Sequence, residues 1–387
     1  MTPTQSLDAT LAAALGPLPC AVAMATNAQE TLYEGAVGTR DVAGRAAMTG
    51  DTVFGLASMT KALVSAAAMA EVDAGRLSLD GPLSAVLPAL AAPMVLEGFG
   101  ADGAPLLRPA RGAITLRQVL SHSAGFGYDT WNAEIRDFQA RRGIARLPMN
   151  EAELAATPLL FDPGTRWNYG ISTDVAGLAV EAATGTRLDV ALTDGVLGAL
   201  GMGDTSVVLR ADQRARLVTT RGREGDGFAD LGFVMDRGVN WCMGGGALHG
   251  TGRDYLRFIR MVLNRGMHEG ARVLSEAAIG EMARNQLAPG VRVTRMRSVN
   301  PARSADAEFF PGMEKQWSTA FMITTQAAPT GRNAGSLAWA GIANTFCWID
   351  PVAGLGGVFM TQLLPFADPA ALGAFAAFET GVYAAFG

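Results

Sequence analysis

The segment Phe54-Gly55-Leu56-Ala57-Ser58-Met59-Thr60-Lys61 decides the reading of this chain, because it sets a serine and a lysine three residues apart where a largely apolar run begins. From Ser58 to Ala74 the residues Leu63, Val64, Ala67, Ala70 and Glu71 recur at helical spacing, and Gly75 stands where a helix C-terminal cap is expected. The spacing predicts a buried helix. Positions i and i+3 share a helix face, so the Lys61 amine can reach the Ser58 hydroxyl. The positive field of a helix amino end favours a developing alkoxide and opposes protonation of the lysine, and burial acts in the same sense. That pairing is a nucleophile with its base. A serine that merely begins a helix beside a snorkelling lysine has the same spacing, so the rest of the chain has to decide.

Around this segment lie 387 residues, 49% hydrophobic and 17% charged with a net charge of −5, enough for a large buried core and too few charges for a disordered chain. Among 31 basic residues only Lys61 and Lys315 are lysines, a scarcity expected of a GC-rich genome. It still constrains the chemistry. Arginine stays protonated in any protein environment, so a nitrogen that must accept a proton is confined to two lysines, three histidines and the amino end. Neither lysine follows a glycine, which excludes a Walker A phosphate loop. The acidic balance and the lack of a Lys/Arg cluster argue against nucleic acid as a partner.

No serine sits in G-x-S-x-G, so the α/β-hydrolase nucleophile elbow is absent. His122, His249 and His268 lie far apart without an H-E-x-x-H pattern, and Cys20, Cys242 and Cys347 are scattered without a C-x-x-C pair. We read the cysteines as buried thiols and expect no metal and no cofactor. The first basic side chain is Arg40, and the longest apolar stretches are interrupted by Glu71 or Glu379. Neither an export signal nor a membrane span is predicted, so the expectation is a cytoplasmic protein without a membrane partner.

Along the chain, Ala21 to Thr26 and Thr31 to Val37 read as a hairpin. Residues 81–204 are rich in Pro and Gly turns between helical segments (Leu116 to Leu120, Glu151 to Ala156, Thr173 to Ala183) with little strand alternation, and read as an inserted, mostly helical domain. A helix follows at Arg253 to Asn264. Gln316 to Thr325, Ser336 to Trp339, Thr345 to Ile349 and Gly357 to Gln362 read as strands, and Ala370 to Ala385 as a closing helix. Strands at both ends predict one sheet assembled from distant segments, in an α/β domain of residues 1–80 and 205–387.

Two further stretches carry chemistry. In Trp167-Asn168-Tyr169-Gly170-Ile171-Ser172 a tyrosine held near a lysine and a helix terminus can shuttle protons, although a half-buried aromatic with a satisfied hydroxyl has the same sequence. In Leu337-Ala338-Trp339-Ala340-Gly341-Ile342 a strand ends in a small residue that lets substrate approach, so the Ile342 amide could complete an oxyanion hole with that of Ser58. Met243-Gly244-Gly245-Gly246-Ala247 reads as a turn.

These motifs together resemble the penicillin-binding, class C β-lactamase-like serine hydrolases. The likeness runs in order through Ser58-Met59-Thr60-Lys61, Leu77 to Pro82, Ile114 to Gly125, Phe161 to Tyr169, Leu200 to Thr205 and Gly245 to Tyr255. The resemblance implies an antiparallel sheet flanked by helices with an inserted helical domain, the site lying between them. It also implies Ser58 as nucleophile, Lys61 as its base, Tyr169 as proton shuttle and the amides of Ser58 and Ile342 as the oxyanion hole.

Two departures narrow it. Trp339-Ala340-Gly341 stands where β-lactamases have Lys-Thr-Gly, and Tyr169-Gly170-Ile171 where they have Tyr-x-Asn. The lysine and asparagine that would recognise a β-lactam are missing, and the Trp-x-Gly form resembles the family VIII carboxylesterases. The expectation is a carboxylesterase for short- to medium-chain esters. Its rivals are a promiscuous β-lactamase, a D-amino-acid amidase, an acyltransferase, or a non-catalytic scaffold. The expected partner is a small-molecule ester, homo-oligomer formation being left open. Phe126, Tyr128, Trp131, Trp317 and Trp348 are expected to line an apolar pocket, Tyr128 and Trp348 foremost.

Overall fold

The computed structural model describes residues 2–144, 151–232 and 243–387. The expected hairpin is formed by β1 (Cys20–Asn27) and β2 (Thr31–Gly38). Its link is closed by Asn27, whose Oδ1 accepts from the amides of Gln29 and Glu30 at 2.8 Å, the local turn bond that makes asparagine common there. The later strands are β3 (Lys315–Trp317), β4 (Met322–Thr324), β5 (Leu337–Gly341), β6 (Thr345–Asp350) and β7 (Leu355–Met360). All seven form one antiparallel sheet in the order β3-β4-β5-β6-β7-β1-β2. The distant segments meet between β1 and β7, from Val22 opposite Met360 to Asn27 opposite Leu355.

The period of two in a strand divides the side chains between two cores. Cys20, Val22, Met24, Cys347, Ile349, Val358 and Met360 enter the core shared with helices α2 (Thr60–Asp73) and α4 (Gly252–Leu263). Ala21, Ala23, Ala25, Phe346, Trp348 and Phe359 enter the other, with α1 (Pro3–Ala13) and α5 (Pro369–Phe386). Being covered on both faces, β1 and β6 are apolar runs rather than alternations. Helix α5 is also tied down by the buried pair of Arg332 Nε and Glu379 Oε1 at 2.5 Å. Losing one member of such a pair costs about 3–5 kcal/mol, because the other charge stays buried.

Between residues 81 and 204 lie the expected helices Leu116–Leu120, Glu151–Ala155 and α3 (Ser172–Thr184), and α3 packs along α2. The segment also contains a hairpin, Met94–Phe99 with Pro105–Pro109, that the sequence did not suggest. A register shift between Leu96 and Gly98, whose φ is 140°, breaks the period of two, and Leu106 and Leu107 are exposed. Cys20 and Cys347 are buried thiols, while Cys242 lies outside the described residues. No helix among the described residues is long and apolar enough to cross a membrane.

Candidate active site

A short 3₁₀ turn, Ala57–Met59, leads into α2, so Ser58 sits just ahead of the helix. Ala57 has φ 49°, a left-handed backbone that costs a residue with a Cβ about 1–2 kcal/mol. Such strain persists only where the surroundings hold it. Here the Leu56 amide donates to Leu248 O at 2.9 Å, the Leu248 amide to Thr60 Oγ1 at 3.2 Å, and the Tyr255 hydroxyl to Met59 O at 3.0 Å. The close approach of β5 adds to this. A Cβ on Gly341 would stand 2.5 Å from Leu56 O and 3.2 Å from Ala57 Cβ, so only glycine lets the strand end reach the Ser58 turn. Ile342 follows directly.

The amine of Lys61, only 2% exposed, has three partners: Ser58 Oγ at 3.3 Å, Tyr128 Oη at 3.1 Å and Gly245 O at 2.7 Å. A neutral amine has two N–H donors and one lone pair. Once Lys61 has given up a proton, donating to Gly245 and Tyr128 would leave its lone pair toward Ser58 Oγ, the arrangement a base requires. The Tyr128 hydroxyl donates in turn to Asp174 Oδ2 at 3.3 Å, and Asp174 Oδ1 accepts from the Gly245 amide at 3.0 Å. Burial pushes the Asp174 carboxyl up, against the pull of Lys61 and of its hydrogen bonds. A Cβ on Gly245 would stand 2.6 Å from Asp174 Oδ2, 2.7 Å from Tyr128 Oη and 3.0 Å from Lys61 Nζ. The 243–247 turn is therefore part of the site, which its composition did not reveal.

Tyr169 lies over the same amine, Lys61 Nζ being 5.0 Å from its ring centroid, but its hydroxyl accepts from Trp339 Nε1 at 3.1 Å. The phenol bonded to Lys61 is that of Tyr128, which the sequence suggested only as pocket lining. Trp131 stands edge-on to Tyr169 at 5.4 Å, and Trp317 to Trp339 at 4.4 Å, with Trp317 Nε1 fixed on Leu120 O at 3.2 Å. Trp348 is a correction. It is fully buried beneath α5 against Phe375 and Phe378, because its place in β6 points it to the face opposite Cys347. Phe126 is likewise core, 1% exposed, and contributes its carbonyl to Asn168 Nδ2 at 2.9 Å.

His122 is wedged between Tyr169 and Trp317, at 4.8 and 5.1 Å between ring centroids. Burial, and then the nearby Lys61 charge, hold it well below its ordinary value of 6.5, and its Nδ1 has no hydrogen-bond partner among the described residues. The unfolded chain takes up a proton here below about pH 6.5 while the folded chain does not, so this group removes stability as the pH falls. The loss is at most about 1.4 kcal/mol per pH unit. His122→Asn, which tolerates the left-handed φ of 56°, should flatten the decline in unfolding free energy between pH 7 and 5. Denaturant titrations at both pH values check this; equal slopes for variant and parent would refute it.

With this geometry in place, the comparisons with known proteins are informative. A family model described as Beta-lactamase matches residues 7–381. The chain belongs to the β-lactamase family. Among its relatives in that family, a lovastatin esterase of Penicillium rubens is 36% identical over 300 residues, covering 73% of each chain. A monacolin J acid methylbutanoyltransferase of Aspergillus terreus is 30% identical over 86% of this chain and 82% of its own. Unliganded simvastatin synthase (LovD) from Aspergillus terreus superposes with a TM-score of 0.85 at 27% identity, covering 99% of this chain and 98% of its own. The family's fold, an antiparallel sheet with helices on both faces, is the one described above, and this member is an enzyme of its serine hydrolase and acyltransferase kind.

Proposed function

We propose that this enzyme is a serine carboxylesterase of the family VIII kind, hydrolysing short- to medium-chain carboxylic esters through an acyl-enzyme on Ser58. The observation that carries the reading is Lys61 Nζ, buried and 3.3 Å from Ser58 Oγ, with its other partners fixed. Ser58 Oγ gives its proton to Lys61 and bonds to the ester carbonyl carbon, whose π electrons move to oxygen. The amides of Ser58 and Ile342 hold that oxyanion. As it collapses the ester C–O bond breaks, the alcohol leaves with a proton from Tyr169, and Lys61 passes the proton it took from Ser58 to the Tyr169 phenolate, which resets both groups. The Trp339 bond supports this role: a phenol oxygen that accepts from an indole points its own O–H elsewhere. Water then repeats the sequence and frees the acid. Trp339 puts an indole where a β-lactamase has a lysine, which argues against efficient β-lactam turnover.

Acyl transfer is the second reading, favoured by the methylbutanoyltransferase relative, and it differs only in the acceptor, an alcohol in place of water. Intact-mass analysis after fluorophosphonate treatment, with peptide mapping, tests the shared intermediate. One adduct at Ser58 is expected; an adduct elsewhere, or none in active enzyme, overturns the mechanism. Faster turnover of a chromogenic cephalosporin than of a short p-nitrophenyl ester would overturn the substrate class.

A further inference from the structure

We infer that Asp174 is a positioning residue for this reaction, closing a chain Asp174–Tyr128–Lys61–Ser58 whose carboxylate end favours the ammonium that Lys61 becomes on taking the Ser58 proton. The inference rests on the esterase reading above and deepens it.

Asp174 lies in the first turn of α3, the helix packed along α2, and is 5% exposed. A buried carboxylate is costly unless it is hydrogen-bonded and its charge is balanced. Both oxygens are committed, Oδ1 to the Gly245 amide and Oδ2 to the Tyr128 hydroxyl, yet among the described residues Asp174 forms no ion pair. The cation that faces it is Lys61, which it meets through the same two residues: Lys61 donates to Gly245 O and Tyr128 Oη. Gly245 thus binds the acid with its N–H and the base with its carbonyl. The missing Cβ there is the space in which carboxylate, phenol and amine converge.

This arrangement matters at one step. When Ser58 bonds to the ester carbon, its proton stays on Lys61, and a buried ammonium without a nearby anion would raise the barrier. Asp174 balances that charge through Tyr128 without touching substrate, as a buried acid behind a catalytic base does in other hydrolases. The groups facing Lys61 are Ser58, Tyr128, Tyr169 and Asp174, with His122 behind them.

The test is the acid limb of kcat/KM for a p-nitrophenyl ester, which reports the base in the free enzyme. Asp174→Asn keeps the size of the side chain and an acceptor for Gly245 but removes the charge. Lys61 then holds a proton less firmly, so the acid limb should move to lower pH by about one unit or more, the effect of an opposite charge at this range. The plateau should fall about tenfold or more with the weaker base. A merely structural aspartate would lower the plateau and leave the limb in place. A limb that stays, or moves to higher pH, in folded Asp174→Asn overturns the inference. If that variant does not fold, Tyr128→Phe cuts the same chain and must move the limb in the same direction; a fixed limb there overturns it equally. Fluorophosphonate labelling separates the two levels. A parent enzyme unlabelled at Ser58 defeats the esterase reading, whereas a labelled parent with an unmoved limb defeats only the role of Asp174.

Discussion

Lys61→Arg should lose about a thousandfold or more in kcat/KM, although it keeps the positive charge. A positioned general base contributes about a hundred- to ten-thousandfold, and a guanidinium cannot release the proton that would let it act. The site adds a geometric penalty. Lys61 Nζ is held by three acceptors in a pocket that leaves it 2% exposed, and a branched, planar head cannot reproduce the single point at which they converge. Because a loss could then be ascribed to size, Lys61→Met is the paired variant, of similar length and without the amine. Both should be slow with p-nitrophenyl esters, and thermal unfolding verifies that each variant is folded at the assay temperature. Turnover within tenfold of the parent in either would contradict the assignment of Lys61 as base.

Gly341→Ala should lower kcat about a hundred- to a thousandfold, the usual cost of one oxyanion donor. The added Cβ would meet a backbone oxygen, Leu56 O, at 2.5 Å, and would crowd Thr345 Oγ1, so no flexible side chain can simply swing away. Either the end of β5 or the turn carrying Ser58 has to move, and the Ile342 amide moves with the strand. KM should change much less than kcat, since the donor acts on charge that develops during reaction. Steady-state kinetics on a folded variant, its folding verified by tryptophan fluorescence, decides the matter; an unaltered kcat would show that Ile342 supplies no donor.

The parts of this molecule that were legible in the sequence are those encoded over short distances. The Ser58 to Ala74 run, the hairpin of β1 and β2 and the strands of the last third each carry their own period and turn residues, and all appear close to where those signals put them. The hairpin of residues 94–109 was not legible, because its bulge at Gly98 removes the alternation that would have announced it. Trp348 was misassigned for a different reason. Its β strand is buried at every position and apolar from Phe346 to Ile349, so the sequence shows that Trp348 is buried but not on which face. The groups gathered beyond Ser58 around Lys61 come from residues 128, 174 and 245, in separate loops and helices, and no local pattern relates them. Gly245 was visible only as a turn glycine, since what it makes room for belongs to other segments.

The pairing of β1 with β7 bears on how the chain folds. Residues 22–27 are hydrogen-bonded to residues 355–360, so the sheet is joined by a contact across more than three hundred positions. Non-local pairing of this kind slows folding, because loop entropy is lost before any contact rewards it. During synthesis the first hairpin emerges early and waits, with one edge unpaired, until nearly the whole polypeptide has left the ribosome. In that interval it is an adhesive surface for other nascent chains. Low temperature and slow expression should therefore raise the yield of native enzyme more than any single stabilising substitution in its cores.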